Sequence, residues 1–198
     1  GHGKTQKSGK VTLAQLGEDV IALLDHLNIA KAHFCGISMG GLTGVWLARF
    51  APERFFSVSV ANTAAKIGEQ SAWLSRARTV REEGMDVVAA GAFRQHEPET
   101  VEQLVHQLAR SEAEGYAECC EALAASDLRG EVAEIRVPML IIAGEHDPVT
   151  TVADADFLHQ HVPGSQAITL CASHLSNVEA AAAFTEALAA FVRGQNGR

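Results

Sequence analysis

The stretch Cys35-Gly36-Ile37-Ser38-Met39-Gly40-Gly41 constrains the fold more than any other part of the chain. Before it, Ala32-His33-Phe34-Cys35 is a short apolar run of the kind a buried strand uses. After it, Leu42 to Phe50 carries apolar residues at helical spacing and stops at Ala51-Pro52. A Gly-x-Ser-x-Gly therefore sits where a strand turns sharply into a helix, the setting of a nucleophile elbow. Gly36 and Gly40 are expected where side chains would collide as strand and helix approach. The helix that follows points its N-terminus at Ser38, so the free N–H of Met39 faces any anion forming there.

A lone serine needs a base and an orienting acid, and the chain must be long enough to supply them. With 198 residues it can build one sizeable core and a small excursion from it. Its 47% hydrophobic and 20% charged residues are those of a globular protein. A net charge of −8 argues against a nucleic-acid surface or an anionic membrane as partner. No apolar run reaches the length of a membrane span, and the opening residues are polar and basic, unlike a signal peptide. Four cysteines, two of them adjacent (Cys119-Cys120), make a poor disulfide framework. Cys35 and Cys171 fall on strands expected to be buried, which suits a reducing compartment, and a cytoplasmic location is expected.

Strand and helix alternate along most of the chain. Thr12 to Leu27 reads as an amphipathic helix with Leu13, Leu16, Val20, Leu23, Leu24 and Leu27 on one face. Phe56 to Ala61 reads as a strand, followed by the loop Asn62-Thr63-Ala64-Ala65. Val137 to Gly144 is the clearest buried strand. A helix through about His161, a strand Gln166 to Cys171 and an Ala-rich helix Val178 to Val192 complete the pattern. Between Lys66 and Asp127 strand signals vanish, and helices are expected at Trp73–Glu83, Asp86–Phe93, Pro98–Arg110 and Gly115–Ala125. Residues 1–65 and 128–198 are thus expected to form a mostly parallel α/β sheet with helices on both faces, and residues 66–127 a helical cap. Gly3-Lys4-Thr5 could end a phosphate-binding loop, but the loop-like Gln6 to Lys10 follows where such a loop requires a helix.

Ligands and catalysts of such sheets sit in the loops at the carboxyl ends of the strands. Three loops so placed hold Ser38, Asp147 and His174, the chain order of an α/β-hydrolase triad. A serine hydroxyl is a weak nucleophile, so His174 is expected to take its proton as it attacks a carbonyl. Asp147 is expected to accept the other ring N–H and fix the tautomer, with Glu145 as the alternative acid. Nine histidines are present, but His146 shares the acid loop and leaves no later base, while His159 and His161 read as a solvated helix flank. His159-Gln160-His161 lacks the cysteine or acidic spacing of a zinc site. No metal and no organic cofactor are expected.

With those three residues in place, the chain resembles the 3-oxoadipate enol-lactonase (β-ketoadipate enol-lactone hydrolase) family of α/β-hydrolases, found in bacterial aromatic catabolism. The matching stretches are Gly1-His2-Gly3, Gly36 to Gly41, Asn62 to Gly68 with Ala61 before it, Gly115-Tyr116 with Cys120, and Asp127-Leu128-Arg129. They continue with Ala143-Gly144 before Asp147-Pro148, and with His174 to Glu179. Asn62 to Gly68 and His174 to Glu179 are the most particular to the family. The resemblance implies hydrolysis of a small anionic enol-lactone to the open-chain 3-oxo dicarboxylate by Ser38, His174 and Asp147.

The chain departs from that family in two places. The strands that precede Gly-His-Gly, with the loop giving a second oxyanion donor, are absent, so only Met39 can be named for the oxyanion. The Ser38 strand would then keep an unpaired edge, and a piece of a longer fold is expected. An Arg-Trp stretch of the cap, near Gly91-Ala92-Phe93, is also absent. Trp73, Arg76 and Arg78 are the candidates to bind the anionic substrate, with Arg81 and Lys66 beside them. The alternatives are a general carboxylesterase or cofactor-free haloperoxidase on the same triad, or a binding module without a competent site. The assembly state is not legible in the sequence.

Overall fold

Four short runs of apolar and β-branched residues become the strands β1 (Ala32–Ile37), β2 (Phe55–Ala61), β3 (Met139–Gly144) and β4 (Gln166–Leu170). They form one parallel sheet in the order β1-β2-β3-β4. The computed structural model describes residue 2, residues 9–92 and residues 98–195. The Gly3-Lys4-Thr5 stretch, Gly1 and Phe93 lie outside the described residues.

Every residue of β3 is buried, because both faces of this strand are covered. Register and side-chain alternation show how. Val60 pairs with Ile141, and Ala61 pairs with Ile142, so the two pairs point to opposite faces. On the Val60 side lies the helix α2 (Met39–Phe50), where a Cβ on Gly44 would press on Val60 and Phe34. On the Ala61 side, Leu140, Ile142 and Leu170 pack with Phe184 and Phe191 of the last helix, α9 (Ala181–Gln195). The first helix, α1 (Leu13–His26), buries Leu13, Gly17 and Leu24. Gly17 permits a close approach, since a Cβ there would overlap the ring of Trp46. The apolar face expected for this helix is therefore narrower than read: Leu23 and Leu27 are exposed, one to the side of the buried line and one past the last turn.

Two further expectations are corrected. Cys35 and Cys171 are both exposed rather than buried. Cys35 lies on β1 and Cys171 just past β4, the two edges of the sheet among the described residues, and four of the five β4 residues are exposed. An apolar composition announces a strand without saying whether both its faces will be covered. The single Ala-rich helix expected from Val178 is two, α8 (Ser176–Glu179) and α9, because Ala180 leaves helical geometry at φ −120°, ψ 43°.

The chain divides into two compact units, one of Leu13–Ile67 with Asp127–Arg198, the other of Gly68–Ser126 with the described part of Gly1–Thr12. The second unit holds α3 (Gln70–Glu83), α4 (Asp86–Ala92), α5 (Pro98–Ala109) and α6 (Ala113–Ala125). Small side chains bring α3 and α6 together: Ala77, Ala117 and Cys120 form a buried cluster walled by Trp73 and Tyr116. Burial pushes the Cys120 thiol up to about 11. The sheet-bearing unit holds one more helix, α7 (Val152–His161), opened by a Thr151/Asp154 capping box. Among the described residues, no helix is long and apolar enough to cross a membrane.

Candidate active site

All four strands are parallel, so their carboxyl ends lie along one rim, and the hydrogen-bond ladder runs past them into the loops. Ser38 N–H donates to Ala61 O (2.9 Å), Asn62 N–H to Ile142 O (2.9 Å), and Glu145 N–H to Leu170 O (2.9 Å). Each loop is thereby fixed to its neighbour before any side chain acts.

Ser38 closes β1 and opens α2 with φ 53°, ψ −120°, a conformation non-glycine residues rarely adopt. A Cβ at Gly36 would lie 2.2 Å from Gly40 O, so the close approach expected at this turn is real there. It is not real at Gly40, where a Cβ would meet nothing within 4 Å. The tight glycine on the helix side is Gly41, whose added Cβ would strike Thr63, itself held by a 2.8 Å bond from Oγ1 to Ser38 O. Met39 is the first residue of α2, a position whose backbone N–H has no acceptor within its own helix.

The structure brings Ser38, His174 and Asp147 into one hydrogen-bonded line. His174 Nδ1 is 2.8 Å from Asp147 Oδ2, and His174 Nε2 is 2.9 Å from Ser38 Oγ. A carboxylate only accepts, so Nδ1 carries the proton; Nε2 then accepts from the serine hydroxyl. That tautomer equips the imidazole to remove the serine proton. Glu145, the alternative acid, is exposed and has no part in this line.

The environment of Asp147 explains its charge. Its side chain is fully buried. Burial alone would raise its pKa, but hydrogen bonds from His174, Asn62, Thr150 and the Val149 N–H outweigh that penalty and hold it well below the usual carboxylate range. A group depressed in the folded state stabilises the fold above its unfolded value, about 3.9, and that contribution is lost as pH falls through the folded value. Asp147→Asn is therefore expected to lower the urea midpoint at pH 7, with the gap to wild type shrinking as the pH is taken below about 4.

Four residues unnoticed in the sequence hold this line in place. Asn62 Nδ2 donates to Asp147 Oδ2 (3.0 Å) and to Ser173 O (2.9 Å), while its Oδ1 accepts from Ser176 Oγ. Thr150 donates to Asp147 through both Oγ1 (2.7 Å) and N–H (3.1 Å). Glu179 accepts from Ser173 N–H (2.8 Å) and Leu175 N–H (3.2 Å), the two residues that flank His174. The only signal for them in the sequence is that Asn62, Ser176 and Glu179 fall in the stretches most particular to the resembled family.

The candidates for substrate binding lie on α3. Trp73 is half-buried, Arg78 is exposed, and the Arg76 guanidinium stands 5.2 Å from the centre of the Trp73 ring. Arg81 is engaged otherwise: it bridges Glu114 (2.8 Å) and Glu121 across α3 and α6. Its charge belongs to that pairing, and it is set aside as a candidate.

Residues 1–174 match the hydrolase family described as serine aminopeptidase, S33. The 3-oxoadipate enol-lactonase 2 of Acinetobacter baylyi is 54% identical over 99% of this chain and 77% of its own length. The 3-oxoadipate enol-lactonase 1 of the same organism is 44% identical over 98% of this chain and 76% of its own. Among solved structures, the enol-lactonase of Burkholderia xenovorans superposes with a TM-score of 0.93 at 40% identity, covering 97% of this chain and 77% of that one.

Proposed function

Since the chain belongs to the α/β-hydrolase family that includes the 3-oxoadipate enol-lactonases, we propose that it hydrolyses 3-oxoadipate enol-lactone to 3-oxoadipate. The observation that carries the reading is the 2.9 Å contact of Ser38 Oγ with an imidazole already tautomerised by a buried carboxylate. Ser38 is the nucleophile, His174 the base and Asp147 the orienting acid.

The lactone carbonyl lies over Ser38, whose oxygen attacks while His174 Nε2 takes the proton. The oxyanion is stabilised by the Met39 N–H at the start of α2. As the tetrahedral intermediate collapses, the ring C–O bond breaks and His174 returns its proton to the departing enol oxygen. An enolate leaves more readily than an alkoxide, and the enol then becomes the ketone. Water, deprotonated by His174, next attacks the acyl carbon and frees Ser38, which regains its proton from the imidazolium.

The substrate carries a carboxylate, and a protein of net charge −8 needs local positive charge to hold it. We assign that part to Arg76 and Arg78 of the helical unit, with Trp73 as an apolar wall. The reading is tested by comparing the enol-lactone with p-nitrophenyl acetate. The expected result is a kcat/KM for the enol-lactone higher by about 10² or more, with Arg76→Gln raising KM for the lactone about tenfold and leaving the acetate unchanged. Equal turnover of both esters would instead favour a general carboxylesterase.

A further inference from the structure

One group of side chains of metal-ligating type stands beside the triad and takes no part in it. Glu145, His146 and Cys171 each offer one donor atom, and the three atoms lie within 4.8 Å of one another. We propose that this group is a binding site for a soft divalent cation of the zinc class, which staples the acid-bearing loop to the strand end that leads to His174.

The backbone explains why the three donors converge. Glu145 and His146 directly follow β3, and Cys171 directly follows β4. Glu145 N–H donates to Leu170 O (2.9 Å) and His146 N–H to Ala172 O (3.0 Å), so the two bonds bracket Cys171. Ala172 N–H turns back to Leu170 O (2.8 Å), a three-residue turn with Cys171 at its apex. The thiol is thereby pushed out of the sheet toward the side chains of the adjacent loop. The donors are presented by backbone that is already fixed, so little ordering remains to be done on binding.

Donor chemistry selects the ion. One thiolate, one imidazole and one carboxylate form a set suited to zinc, and poorly suited to magnesium or calcium, which prefer oxygen alone. His146 Nε2 lies 3.8 Å from Cys171 Sγ. Tetrahedral zinc, with bonds of about 2.3 Å to sulfur and about 2.0 Å to nitrogen, sets those atoms about 3.5 Å apart, so a small side-chain adjustment closes the site. All three residues are exposed, which leaves the fourth position to water.

The proposal does not depend on the substrate, and its test reads the metal directly. Metal-free protein is titrated with Co²⁺. Binding of one equivalent is expected, with thiolate-to-cobalt charge-transfer absorption and visible bands of tetrahedral intensity, all displaced by Zn²⁺. Cys171→Ser is expected to abolish the charge-transfer band and to weaken Zn²⁺ binding at least about tenfold. Zn²⁺ should raise the unfolding temperature of the wild type by a few degrees and that of Cys171→Ser much less. Without metal, the variant should unfold and hydrolyse esters like the wild type, which separates loss of the site from loss of the fold. No charge-transfer band, or one of equal strength in Cys171→Ser, overturns the proposal.

Discussion

Ser38→Ala is expected to turn over the enol-lactone about 10⁴–10⁶-fold more slowly than the wild type while remaining folded. The size of the effect follows from the proposed route, in which every productive event passes through the serine oxygen. What survives would be the catalysis that the Met39 N–H and binding can supply alone. The fold should tolerate the change, because Ser38 Oγ engages the triad, while Ser38 N–H and O hold the turn through Ala61 and Leu42. Alanine keeps the strain at φ 53°, but glycine relieves it. Ser38→Gly should therefore be as inactive as Ser38→Ala and more stable by about 1 kcal/mol in urea denaturation. Fluorophosphonate labelling gives the matching chemical readout, with a stoichiometric adduct on the wild type and none on either variant. A folded wild type that takes up no label would point to a binding module, and the hydrolytic reading would fall.

How much of this could be read from the chain depends on how local each signal is. Ser38 sits in a five-residue pattern between a strand and a helix, so nearby residues alone expose it. Asp147 and His174 each follow a strong strand signal by a few residues, and parallel topology places such loops on one rim. Asn62 is different. Its partners are 85, 111 and 114 residues away, and nothing beside it in sequence announces any of these bonds. The exposure of Cys171 is not legible in the sequence, because exposure at a sheet edge depends on what lies across the strand, a non-local fact. The break at Ala180 carries no local signal, since the sequence around it, Glu179-Ala180-Ala181, has no proline or glycine to mark it. Gly40 shows the converse case: the motif promised a collision, and the tight contact belongs to its neighbour Gly41.

Asn62→Ala is expected to lower kcat about 10- to 100-fold with little change in KM, and to cost about 2–3 kcal/mol of stability. The side chain is buried and spends both amide protons and its oxygen on the acid-bearing loop and on the segment that carries His174 into α8. Truncation removes the hydrogen bonds made to Ser173 O and from Ser176 Oγ, and takes one donor from Asp147. It also puts alanine at φ 45°, a backbone state that asparagine tolerates better. The effect belongs in kcat because Asn62 acts by aiming Asp147 and the His174 loop, not by touching substrate. Asn62→Asp separates aiming from mere packing. It keeps the shape but sets a carboxylate oxygen about 3 Å from Asp147 Oδ2, where the two buried negative charges repel and one carboxyl is protonated at a higher pH than usual. At neutral pH this variant should be slower than Asn62→Ala. As the pH falls, the added carboxyl takes up a proton and can donate to Asp147 as the amide did, so its activity relative to wild type should rise. A purely structural role for residue 62 predicts instead a ratio that stays flat with pH, because packing is blind to which atom carries the proton.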